Sequence, residues 1–99
     1  MELLKDISGF DWDAGNQTKN WQKHAVTNSE CEQVFFNLPL LFQPDPAHSK
    51  TEARYFILGQ TDSGRYLFIA FTTRVDKIRV ISARDMSRKE TEIYERTNS

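Results

Sequence analysis

The chain has 99 residues, 38% of them hydrophobic and 12% aromatic, with a formal net charge of −1 at pH 7. That length suits one folded unit and that apolar content can close one core, so residues 1–99 are expected to form a single domain. No run approaches the roughly 18 consecutive apolar residues of a membrane span, and no apolar stretch follows a basic start, which excludes a membrane role and points to the cytoplasm by default.

In chain order, Ile7 to Trp12 reads as a short extended piece. Asp13 is placed to cap a first helix over residues 14–24, with Asn16, Asn20, Lys23 and His24 on one polar face. A second helix is marked by Ser29 and Glu32 as a capping box, and Cys31, Val34, Phe35 and Leu38 repeat at the spacing of one apolar helix face. That face predicts packing against a sheet. Pro39, Pro44 and Pro46 then bracket a short strand at Leu40-Leu41-Phe42 and a loop through Lys50.

The clearest β signal follows. Arg54 to Gln60, Arg65 to Thr73 and Lys77 to Ala83 are β-branched and aromatic runs, separated by Thr61-Asp62-Ser63-Gly64 and Arg74-Val75-Asp76. They predict an antiparallel meander. A last helix starts near Ser87, with Glu90 completing a second capping box and Ile93 and Tyr94 turned toward the body.

Register decides which arginines share a face. Pairing Gln60 with Arg65 sets Arg54 opposite Phe71, with Arg54, Phe56, Leu58 and Arg65 pointing the same way. A two-residue second loop, pairing Arg74 with Lys77, adds Arg84 to that face; one residue more adds Arg79 instead. The two are rivals for one place.

Charge is uneven along the chain. Residues 1–53 hold four lysines against eight acids, while residues 54–99 hold nine lysines and arginines against six acids. Every arginine lies at or after position 54. Arginine's planar fork matches phosphate oxygens, so the C-terminal half is the expected face for nucleic acid in an otherwise near-neutral chain. Cys31 is a lone cysteine, and His24 and His48 lack ligand spacing, so no metal site is expected.

The run Phe10-Asp11-Trp12-Asp13, followed by Asn20, Lys23-His24, Val26, Glu30 and Val34-Phe35, resembles the opening of the BrnT family, toxins of type II toxin–antitoxin pairs. The second half is similar in Glu52, Arg54, Gly59, Gly64-Arg65, Phe71-Thr72, Arg74, Ile78-Arg79, Ile81-Ser82-Ala83-Arg84, Glu90 and Tyr94, so the resemblance covers residues 10–95. It implies an α+β fold of the RelE ribonuclease kind: two N-terminal helices packed on an antiparallel sheet, with a C-terminal helix. It also implies growth arrest by RNA cleavage without a cofactor, and a BrnA-like antitoxin in a hetero-oligomer that touches operator DNA only through the antitoxin. Three departures stand out: Asn16 where the family usually has lysine, Ala25 where it has the glycine after Lys-His, and Asn28 where an aromatic is common. A left-handed backbone at Ala25 would cost on the order of 1 kcal/mol.

RNA is cut without metal when its 2′-hydroxyl attacks the adjacent phosphate, given a proton acceptor, a proton donor and cations around the phosphate. His24 is the natural acid or base, since an unperturbed imidazole titrates at roughly pH 6.5. Lys23, Arg54, Arg79 and Arg84 are candidate cations for the transition state. Against that role stand salt bridges of the arginines to Glu30, Glu52 or Glu90. Arg65 and Arg74 at hairpins, with Trp21 and Tyr94 as stacking aromatics, are candidate RNA contacts, although Tyr94 also suits a core. Glu30 is expected to pair with an arginine and order the site. A catalytically silent antitoxin-binding module is the alternative, with Asn16 and Ala25 as its degraded positions.

Overall fold

The computed structural model describes residues 7–12, 24–48 and 52–98. Five strands form one sheet: β1 (Gly9–Phe10), β2 (Leu41–Pro44), β3 (Arg54–Gln60), β4 (Tyr66–Arg74) and β5 (Lys77–Asp85). Their order is β1-β5-β4-β3-β2, with β2 to β5 antiparallel and β1 parallel to β5, so the sheet is mixed and not the wholly antiparallel one expected. Helix α1 (Asn28–Phe36) packs on one face and helix α2 (Arg88–Asn98) on the other.

The expected first helix lies outside the described residues except for His24, whose backbone is helical. Only α1 of the two expected N-terminal helices is therefore described. It starts two residues before the expected box: Thr27 Oγ1 accepts from Glu30 N at 3.0 Å, and Thr27 N donates to Glu30 Oε1 at 3.0 Å. Ser29 is not the cap. Glu32 is used elsewhere, accepting from Trp12 Nε1 at 2.8 Å. Helix α1 also ends before Leu38, which is 84% exposed and not part of the apolar face. Asn37 follows it and donates to Gln60 O and Asp62 Oδ1, tying the helix end to the β3–β4 loop.

The core lies between α1 and the sheet. Val26, Cys31, Val34 and Phe35 meet Ile57, Leu67, Ile69, Phe71, Ile78, Val80 and Ala83, all buried, with Phe35 edge-on to Phe71 at 5.1 Å. A Cβ at Gly59 would come within 2.7 Å of Val34 Cγ1, so this glycine lets the helix approach the strand. The other face is partly covered by α2, whose Ser87–Glu90 capping box forms as expected: Glu90 N donates to Ser87 Oγ and Ser87 N to Glu90 Oε1.

The first hairpin is displaced by one residue from the expected register, pairing Gln60 with Tyr66 and Arg54 with Thr72. The loop sets this: Thr61 N donates to Arg65 O at 2.9 Å and Arg65 N to Thr61 Oγ1 at 3.1 Å, which keeps Arg65 in the turn. The second hairpin has the two-residue loop, pairing Arg74 with Lys77 and Thr72 with Arg79. A bulge then intervenes, for Phe71 pairs with Val80 but Ala70 with Ser82, leaving Ile81 extra. After the bulge Phe68 pairs with Arg84. Arg54, Arg79 and Arg84 therefore all project from the α2 face, and the expected rivalry between Arg79 and Arg84 does not arise.

Candidate active site

The shared face does not gather the arginines into one cluster. Arg54 and Arg79 flank Thr72, whereas Arg84 flanks Phe68, four residues back along β4 and about 13 Å away at the rise of a strand. Arg79 is bridged to Asp11, Nη1 to Oδ2, at 3.5 Å. Arg74, on the hairpin, meets Glu52 at 3.6 Å with both side chains well exposed, an arrangement worth little in stability.

Arg84 is held by a ring and by a carboxylate. Its guanidinium lies 4.1 Å from the centre of the Phe68 ring, and it donates to both oxygens of Glu90, at 2.8 and 3.0 Å. The Glu90 carboxyl sits below its usual range because of Arg84 first, against a smaller opposing effect of burial and with help from the Ser87 backbone. Arg84 and Glu90 line a groove of about 550 Å³ together with Phe56, Phe68, Leu41 and Ile93, in which Phe56 and Phe68 are stacked at 5.3 Å.

His24 stands at the end of the sheet where β5 finishes, and its imidazole is exposed. Beneath it lies Arg65, which does not reach outward. Arg65 Nε donates to Asp85 Oδ1 at 2.8 Å, Nη1 to Ala25 O at 2.9 Å and to Glu30, and Nη2 to His24 O at 3.2 Å and to Asp85 Oδ2. Its five N–H donors are all used inside the protein. Arg65 was expected as an RNA contact, and the structure instead makes it a cross-link. The Asp85 carboxyl is held low by the Arg65 hydrogen bond above all, with burial opposing and the charges of Arg65 and His24 assisting. Burial pushes the Glu30 carboxyl up, but the Thr27 backbone and Arg65 outweigh it and the net shift is downward.

Asp85 also connects His24 to Arg84, because its carbonyl accepts from Arg84 Nη1 at 3.1 Å while its carboxylate feels the His24 charge. Sequence reasoning passed over Asp85. The only available signal was an acid directly after Arg84 at a strand end.

Tyr94 needs a correction. It is wholly buried, packed edge-on against Tyr66 at 4.9 Å, with its hydroxyl donating to Pro39 O and accepting from Gln60 Nε2, so it offers no face for a base to stack on. Lys23, Trp21 and Asn16 lie outside the described residues. Ala25 has a φ of 54°, the left-handed conformation that glycine adopts without strain. Among the described residues, no three metal-ligating side chains come together.

Residues 12–90 match the family model described as the ribonuclease toxin BrnT of type II toxin–antitoxin systems. No curated protein matches the chain.

Proposed function

We propose that this chain, which belongs to the BrnT family of ribonuclease toxins from type II toxin–antitoxin systems, cuts RNA by metal-independent transphosphorylation. The observation that carries this reading is the exposed His24 imidazole at the end of β5, beside Asp85 and one residue removed from the Arg84 guanidinium. His24 exchanges a proton with the reacting RNA, either taking it from the 2′-hydroxyl or giving it to the leaving 5′ oxygen. Lys23 and Arg84 act beside it on the phosphate, and Arg54 and Arg79 hold the strand farther along the same face, about 13 Å from Arg84. We assign Arg74 and Trp21 to the RNA path as further contacts.

A type II toxin has an antitoxin, and we take the partner here to be BrnA-like, neutralising the toxin and forming with it a complex that represses their own operon, with operator DNA held by the antitoxin.

The test is incubation of antitoxin-free protein with RNA in EDTA, beside His24→Ala. New 5′-hydroxyl and cyclic phosphate ends, lost in the variant, are the expected result; RNA left intact unless a divalent metal is added overturns metal independence. A second reading, a silent antitoxin-binding member, is favoured by the strained Ala25. Growth arrest on expression without antitoxin rules it out.

A further inference from the structure

The Arg65 guanidinium ties together three pieces of chain: the carbonyls of His24 and Ala25, the first turn of α1 through Glu30, and the end of β5 through Asp85. We propose that Arg65 is the positioning residue of His24, fixing the backbone that carries the imidazole; this rests on the reading of His24 as the proton-transfer group.

Four features support the assignment. First, the contacts fall on the His24 peptide itself and on the next one, so they fix the backbone on which the His24 side chain is mounted. A contact farther away would leave that peptide free to turn. Second, Ala25 is held at a φ of 54° with no glycine to favour it, and such a conformation persists only where neighbours impose it. Arg65 Nη1, at 2.9 Å from Ala25 O, is the neighbour that does so.

Third, Arg65 is itself rigidly held. Its N–H and carbonyl both bond to Thr61, which is 3% exposed, and its carboxylate partners are fixed in turn, Glu30 by the Thr27 capping box and Asp85 by its place at the end of β5. Fourth, only arginine's flat fork can serve two carbonyls and two carboxylates at once; a lysine in its place has one nitrogen to share among them.

The experiment compares wild type, Arg65→Gln, His24→Ala and the double variant, each checked for folding by thermal melting. Cleavage of a mixed-sequence single-stranded RNA is measured, together with the NMR resonances of the His24 imidazole. Arg65→Gln is expected to lower kcat at least tenfold with KM little changed, to add no loss in the His24→Ala background, and to shift or broaden the His24 resonances. A folded Arg65→Gln protein with wild-type kcat and unmoved His24 resonances overturns the proposal. So does a rise in KM alone, which would make Arg65 an RNA contact.

Should Arg65→Gln not fold, Glu30→Gln and Asp85→Asn loosen the same guanidinium one anchor at a time, and the same two readouts apply. If His24→Ala retains full activity, the proton-transfer reading fails by itself. The resonances of His24 in Arg65→Gln then decide, without reference to activity, whether Arg65 sets the imidazole.

Discussion

Arg84 and Glu90 meet fork to fork, Nη1 to Oε1 at 2.8 Å and Nη2 to Oε2 at 3.0 Å. The carboxylate belongs to the first turn of α2 and also accepts from Ser87 N, so one side chain both caps the helix and fastens it to β5. Glu90→Gln is therefore expected to lower stability by about 1–2 kcal/mol, combining a weakened cap with a lost charge-assisted bond. A urea midpoint that falls at unchanged m-value is the sign to look for. An unmoved midpoint would mean that α2 is held by Tyr94 and Ile93 alone.

Acid should weaken the fold through three carboxylates. Glu30, Asp85 and Glu90 all have lowered folded-state pKa values. A group depressed on folding contributes stability above its unfolded pKa, about 3.9 for Asp and 4.3 for Glu, and loses it as pH falls through the folded value. Urea midpoints should accordingly be level above about pH 5 and drop below pH 4. Glu90→Gln should show a shallower acid drop than wild type, and equal slopes would remove Glu90 from this account.

Two positions carry positive φ without glycine, Ala25 at 54° and Val75 at 58°. Left-handed backbone costs an L-residue roughly 1–2 kcal/mol, partly offset on replacement by glycine's greater freedom in the unfolded chain, about 0.4–1 kcal/mol. Val75 is wholly exposed at the β4–β5 turn and packs against nothing, so Val75→Gly should raise the melting temperature by a few degrees. Ala25→Gly should stabilise by up to about 1 kcal/mol. A fall in melting temperature for Val75→Gly contradicts the strain argument at that turn.

Cys31 is sealed in the core at 0% exposure, and burial, with the nearby Glu30 and Glu32 charges adding to it, pushes its thiol up to about 12. A thiol reagent at pH 8 should leave the native protein unmodified and react once per chain in urea. Fast labelling of native protein would show that α1 lifts from the sheet.

Much of the architecture is legible in the residue pattern because it is local. The three long strands announce themselves by β-branched and aromatic runs, α2 by Ser87 and Glu90, and the buried side of α1 by Cys31, Val34 and Phe35. What escapes is decided by partners far along the chain. Thr27 with Glu30 and Ser29 with Glu32 are equally good capping boxes on paper; Arg65 claims Glu30 and Trp12 claims Glu32, and the helix start follows. The first hairpin slips by one residue because Thr61 holds Arg65 in the loop.

The candidate site was legible as residue types more than as an arrangement. Salt bridges to Glu30, Glu52 or Glu90 stand against the phosphate role of Arg54, Arg79 and Arg84, and Arg84 with Glu90 is such a pair, while Glu30, expected to meet an arginine, meets Arg65. The separation of Arg54 and Arg79 from His24 depends on strand length and register together, which no single stretch of sequence encodes.

Ile81 gives the extra residue of β5 a consequence for insertions and deletions. Side chains alternate along a strand, so Arg79 and Arg84, separated by an odd number of steps, share a side only because the bulge sets one additional residue between them. Deleting Ile81 would leave Arg79 and Arg84 an even number of steps apart, so plain alternation would keep 82–85 facing as they do, with Ala83 toward the core and Arg84 on the α2 side. Net charge would not change. A one-residue deletion at the bulge is thus a milder lesion than one within the regularly paired 67–70 of β4, where the loss would turn the neighbouring side chains over.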